Sequence, residues 1–214
     1  QLLPPEPGAR WAVTETTGFS LQCITGTSAE RDLATIITEA GGAYQDVTTQ
    51  LESGGVSTAG DTDVQIYLLD RVVGQGGYAS PDWVAVTYTD RAYTPVSLDL
   101  VFRHELTHRL DSALGCDNAP AMVREGLAVA VAGGHYRRES LRTRAAALFG
   151  STYYIPLPDL VDDFYTHQHE VAYLEAGATL SYLIEQWGWD VVPRMCRAAS
   201  EADGDEAARW QAAL

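Results

Sequence analysis

The hydrophobic pattern changes character near the middle of the chain. In the first ninety or so residues it alternates in short runs. Gly18 to Ile24 reads as a strand, Asp63 to Val73 as a second rich in Val, Ile and Tyr, and Trp83 to Thr89 as a cleanly alternating third. One helical stretch lies among them: Glu30 to Leu51 carries Leu33, Ile36, Ile37, Ala40, Tyr44, Val47 and Leu51 at helical spacing, weakened in its middle by Gly41-Gly42. Gly54-Gly55 and Gly60-Asp61 punctuate the loop that follows. Beyond Pro95 the period becomes helical. Ser97 stands at an N-cap position, Leu106, Leu110 and Leu114 follow Val101 and Phe102 as an apolar stripe, and Gly115 fits a left-handed C-cap. Helices are then expected over 119–132, with Asn118 as N-cap and Pro120 in the first turn, and over 137–148, 170–187, 190–201 and 205–213. Strands gathered ahead of helices predict an α+β fold, with an N-terminal mixed sheet, a central helix and a mainly helical C-terminal lobe. We expect one domain over 13–214, its sheet-containing lobe reaching to about 115, after a proline-rich linker at 1–12. There is no internal repeat.

The central helix carries the chemistry, in the run Val101-Phe102-Arg103-His104-Glu105-Leu106-Thr107-His108-Arg109-Leu110. Side chains four apart on a helix share a face, so His104 and His108 can aim two imidazole nitrogens at one metal ion. Glu105, beside the first ligand, can reach a water at that ion and take its proton. The bland alternative is a chance match on a core helix. A catalytic zinc needs three protein ligands and an open position. The extension His-x-x-Gly-x-x-His would require glycine at 111 and histidine at 114, but the chain has Asp111 and Leu114; a closed structural site would need more Cys or His than the nearby Cys116. A glutamate from the next helix remains. Glu125 stands amid Val123, Leu127, Ala128 and Val131, where an unpaired charge is costly and a metal would relieve it. The competing reading of Glu125 is a solvated glutamate on an exposed face.

His104-Glu105-Leu106-Thr107-His108, followed by Pro120-Ala121-Met122-Val123-Arg124-Glu125-Gly126-Leu127-Ala128, resembles the gluzincin zinc metallopeptidases, most of all small bacterial peptidase MA-like proteins. Tyr173 to Gly188 resembles the helix that follows in that family, and the resemblance spans roughly residues 60 to 200. It implies a zincin-like fold, one zinc held by His104, His108 and Glu125, Glu105 as general base, and Tyr173 as oxyanion donor. The bland alternative for Tyr173 is a core tyrosine, and His167 and His169 just before it are the reserve candidates for substrate or oxyanion contact. By the same resemblance, the strand over 83–89 would be the sheet edge that pairs with an extended substrate. The Gly-x-Met-Glu-Asn segment of aminopeptidase-type relatives is missing; the region reads Gly76-Gly77-Tyr78-Ala79-Ser80-Pro81-Asp82-Trp83, which points to endopeptidase rather than amino-terminal activity. Some gluzincins place an acidic residue four after the third ligand, where this chain has Val129. Asp111 is the substitute for orienting a ligand imidazole, with an ion pair to Arg109 or a solvated position as its alternatives.

Charge and composition narrow the partners. A formal net charge of −15 argues against nucleic acid and anionic membranes and leaves a peptide or protein substrate. All 14 basic residues are arginine, a mark of a high-GC genome. No apolar run approaches a membrane span. The chain opens on Gln1, so a processed or trimmed segment is expected ahead of it. Cys23, Cys116 and Cys196 allow one disulfide plus a thiol, or three buried thiols, and favour an extracytoplasmic place, secreted or anchored. Gly74-Gln75-Gly76-Gly77-Tyr78-Ala79 imitates a dinucleotide fingerprint, but a proline and a strand follow where a helix should open, so it reads as a turn. The expected activity is zinc-dependent peptide hydrolysis; the alternative is a catalytically silent zincin-fold binding module that retains the metal for stability.

Overall fold

The computed structural model describes residue 4 and residues 7–58, 63–70, 76–88 and 97–213. Strand β1 (Trp11–Glu15) opens the sheet and pairs antiparallel with β2 (Phe19–Ile24), Trp11 facing Ile24. The first strand therefore begins inside the stretch read as linker. Between them Gly18 has φ +91°, and a Cβ there would lie 2.6 Å from the Tyr44 ring, so only glycine fits the turn. Helices α1 (Ser28–Arg31) and α2 (Leu33–Glu52) carry the chain to β3 (Val64–Leu69), parallel to β2. Gly41-Gly42 does not interrupt α2. Its buried face is Ile36, Ala40, Ala43, Val47 and Leu51, and packing along that face outweighs the weak propensity of the two glycines beside it.

Strands β4 (Gly77–Ala79) and β5 (Trp83–Thr87) form an antiparallel pair, and β5 lies parallel to β3, giving the order β1-β2-β3-β5-β4. This corrects the expected edge. The strand over 83–89 is interior, and the edge is β4, in the segment read as a turn, with Gly77 opposite Val86 and Ala79 opposite Val84. Three residues are too few for alternation to register in the sequence. Gly60-Asp61, Arg71 to Gln75 and Pro95 fall outside the described residues.

Helix α3 (Leu98–Leu110) carries the histidine motif. Ser97 precedes it and receives the Leu100 and Val101 amides on its carbonyl, while its hydroxyl makes no capping bond. The helix stops earlier than expected: a 3₁₀ turn over Asp111–Leu114 intervenes, and Gly115, at φ 80°, caps that turn instead. α3 is buried around most of its circumference, between β4 and β5 on one side and other helices on the other. Two of its polar residues are satisfied within the fold, Thr107 on the Arg103 carbonyl and Arg103 on Asp99 and Asp46.

Helix α4 (Ala121–Ala132) follows, with Pro120 rather than Asn118 at the N-cap. Then come α5 (Leu141–Leu148), which starts later than the expected 137, an unanticipated α6 (Leu157–Asp162), and α7 (His169–Trp187), α8 (Val191–Glu201) and α9 (Glu206–Ala213) close to the expected ranges. α4 and α7 cross almost backbone to backbone: a Cβ on Gly126 would lie 2.7 Å from the Ala176 carbonyl oxygen, and one on Gly177 2.4 Å from Val129 Cγ1. Cys116 and Cys196 form a disulfide that ties the turn after α3 to α8, and Cys23 is a buried thiol. The fold is α+β, with a five-stranded mixed sheet and a mainly helical second half. Among the described residues no helix is long and apolar enough to cross a membrane.

Candidate metal centre

His104 and His108 leave α3 on one face, their rings 4.8 Å apart and nearly perpendicular. Glu125 meets them from α4. The two Nε2 atoms are 3.1 Å apart, and Glu125 Oε2 is 3.2 Å from that of His104 and 3.1 Å from that of His108. Three atoms that each hold a lone pair converge here, and no placement of one or two protons satisfies all three pairs. A cation does. Tetrahedral zinc with bonds of about 2.0–2.1 Å has ligand–ligand edges of about 3.3 Å, close to this triangle. The donor set, two imidazoles and a carboxylate, suits zinc equally well.

The electrostatics follow from burial and proximity. Burial alone would raise Glu125, but the His108 and His104 charges and hydrogen bonds hold it well below the usual carboxylate range. Burial would lower His108, whereas Glu125, with help from Asp111, holds it up to about 10. Asp111 is 1 % exposed, which excludes the solvated position. Its Oδ2 accepts from Arg124 Nε at 3.2 Å and approaches His108 Nδ1 to 4.0 Å, so its ionic partner is an arginine on α4 rather than Arg109. That Nδ1, like that of His104, is buried without a hydrogen-bond partner, and Asp111 is the carboxylate nearest to supply one.

Glu105 is 8 % exposed, and burial, followed by repulsion from Glu125, raises its pKa against the pull of the two histidines. A carboxylate with a raised pKa is a stronger base. It lies against the edge strand: a Cβ on Gly77 would be 2.5 Å from Glu105 Oε1. The cleft above the triangle has a volume of about 560 Å³, with β4 along one side and Tyr136, Tyr165, His169 and Tyr173 along another.

The structure separates the remaining candidates. Tyr173 stands over the site, stacked on His104 at 6.0 Å between ring centroids, and on His135 at 4.4 Å and His169 at 4.2 Å. Burial and the Glu125 charge raise its pKa, so it keeps its proton. His169 lines the cleft, whereas His167 does not; its Nε2 sits 3.1 Å from the Asp159 carbonyl. Two residues were missed. Tyr165, in a 3₁₀ turn over Phe164–Thr166, donates its hydroxyl to Glu125 Oε1 at 2.8 Å, leaving Oε2 for the histidines. His135, just past α4, is buried beside Tyr173, and burial with the His104 and His169 charges pushes it down to about 3. No local pattern marks Tyr165; the His135 signal was a histidine directly behind the Gly133-Gly134 stop.

No protein-family model matches the chain, and no curated protein matches it either.

Proposed function

We propose that this protein is a zincin-like metallopeptidase of gluzincin type that hydrolyses internal peptide bonds. The observation that carries the reading is the His104, His108 and Glu125 triangle with a buried, raised-pKa Glu105 next to it and a sheet edge along the cleft. A zinc ion held there would polarise the scissile carbonyl and acidify a water. Glu105 takes the proton of the attacking water on a carboxylate oxygen and returns it to the departing amine nitrogen. Tyr173, which lines the cleft and keeps its proton, donates its hydroxyl to the developing oxyanion. Among the described residues no strand pairs with the outer side of β4, which can take the backbone of an extended peptide, the role expected of the strand over 83–89. The Cys116–Cys196 disulfide supports a place outside the reducing cytosol.

The test is cleavage of a peptide library by the whole chain, with and without chelator, beside Glu105→Gln. The amide cannot accept a proton, so that variant should keep its zinc and lose about 10²–10⁴ in turnover. Undiminished cleavage would remove Glu105 as base, and a fully zinc-loaded chain that cleaves nothing would establish the silent binding module.

A further inference from the structure

A second cluster of metal-ligating groups lies in the same cleft, outside the triangle. His135, His169 and Glu170 each present one ligand atom, all within 4.8 Å of one another. They come from two elements. Gly133, at φ 77°, ends α4 in a left-handed turn, and Gly134, at φ +157°, reverses the chain so tightly that a Cβ would lie 1.9 Å from the Arg137 carbonyl oxygen. The reversal turns His135 back into the fold. His169 and Glu170 form the first turn of α7, whose N-cap Gln168 accepts the Val171 amide at 2.8 Å. The position of both groups is thus set by backbone, not by a wandering loop.

The His135 side chain is 6 % exposed, and its Nδ1 is buried without a hydrogen-bond partner. That atom faces Glu170 Oε1 at 3.2 Å. That distance is hydrogen-bond length, yet the geometry makes no hydrogen bond, so Nδ1 stays unsatisfied inside the fold beside a carboxylate that is half exposed. The distance is also the edge length of a tetrahedral zinc site, about 3.3 Å. His169, half-buried and 4.9 Å from His135 between ring centroids, supplies the third donor.

We infer that His135, His169 and Glu170 form a second site for a borderline divalent transition metal such as zinc or cobalt, which clamps the turn after α4 to the start of α7. Glu170 is more exposed than any ligand of the triangle, so this site is the weaker of the two. It does not rest on the hydrolytic reading.

The experiment is cobalt titration of the metal-stripped full chain, following d–d absorption and bound metal after dialysis. The parent should take up two equivalents in two phases, and Glu125→Ala should keep one. Adding His169→Ala or Glu170→Gln to Glu125→Ala should abolish that remaining equivalent, and both replaced groups are exposed enough to be changed without emptying the core. Circular dichroism identifies any variant that fails to fold, and Glu170→Gln in the parent, expected to lose only the weaker phase, serves in its place. One equivalent in the parent with none in Glu125→Ala would overturn the second site and leave the triangle intact. So would a remaining equivalent that survives both His169→Ala and Glu170→Gln. One equivalent in both the parent and Glu125→Ala, lost on His169→Ala, would establish this site and sink the triangle instead.

Discussion

Gly77→Ala is the sharpest perturbation of the proposed chemistry, because it alters neither a ligand nor the base. The added Cβ would lie 2.5 Å from Glu105 Oε1, 2.6 Å from its Cγ and 2.7 Å from its Cδ. Ordinary contact begins near 3.4 Å, so the carboxylate must retreat by roughly 1 Å. A displacement of that size at a reacting group costs about a hundredfold in rate. At about 1.36 kcal/mol per tenfold, that is about 2.7 kcal/mol of barrier. Gly77 is not among the positive-φ glycines, so alanine suits its backbone, and β4 lies at the sheet edge where the change disturbs little else. The assay is steady-state cleavage of the best library peptide, with zinc content and melting temperature measured on the same sample. We expect full zinc, near-parental stability and a catalytic constant down about a hundredfold. Parental turnover in a folded, zinc-loaded Gly77→Ala would refute the placement of Glu105 as base beneath this strand.

Glu125→Ala removes one vertex of the triangle and should abolish tight zinc binding there; an undiminished affinity in competition with a chromogenic chelator would exclude it as a ligand. Tyr165→Phe removes the hydrogen bond on Glu125 Oε1 and should weaken zinc about 10–100-fold, whereas Tyr173→Phe should keep the zinc and lose about 10²–10³ in the catalytic constant; the reverse assignment in paired measurements would exchange their roles. In chelator-treated protein His108 is held up to about 10, above its unfolded value of about 6.5, so its contribution to stability is full below about 6.5 and is lost as pH rises through about 10. Zinc must therefore displace that proton at pH 8, and indicator dye should register its release per zinc bound, fading above pH 10; no release at pH 8 would contradict the shift.

What the sequence disclosed was local chemistry. His104 and His108 were legible because helical geometry alone brings residues four apart together, and Glu125 because a carboxylate amid apolar neighbours demands a partner. What it concealed depends on distant chain. The ionic partner of Asp111 is Arg124 on another helix, where sequence proximity had suggested Arg109. Tyr165 reaches Glu125 across forty residues, and His135 gains its meaning only when α7 brings His169 and Glu170 beside it. β1 and β4 escaped for a different reason. Both are short edge strands in which one face meets water, and their neighbours are rich in proline or glycine, so neither alternation nor propensity rises above its surroundings.

The three consecutive residues Arg124, Glu125 and Gly126 explain how the triangle keeps its shape. Successive side chains on a helix diverge by about 100°, so these three address three different neighbours. Arg124 holds Asp111 in the turn after α3, Glu125 meets the two histidines of α3, and Gly126 touches the backbone of α7. A one-residue slip of α4 would break all three contacts together. Glycine costs about 1 kcal/mol relative to alanine inside a helix, and it stands at 126 because a Cβ would meet the Ala176 carbonyl oxygen at 2.7 Å. Tyr173 lies three and four residues before Ala176 and Gly177, on the same face of α7. The crossing that fixes Glu125 against the histidines therefore also sets the height of the Tyr173 hydroxyl over the cleft. The proposed metal ligand and the proposed oxyanion donor are positioned by one contact, and any substitution that widens it must loosen both.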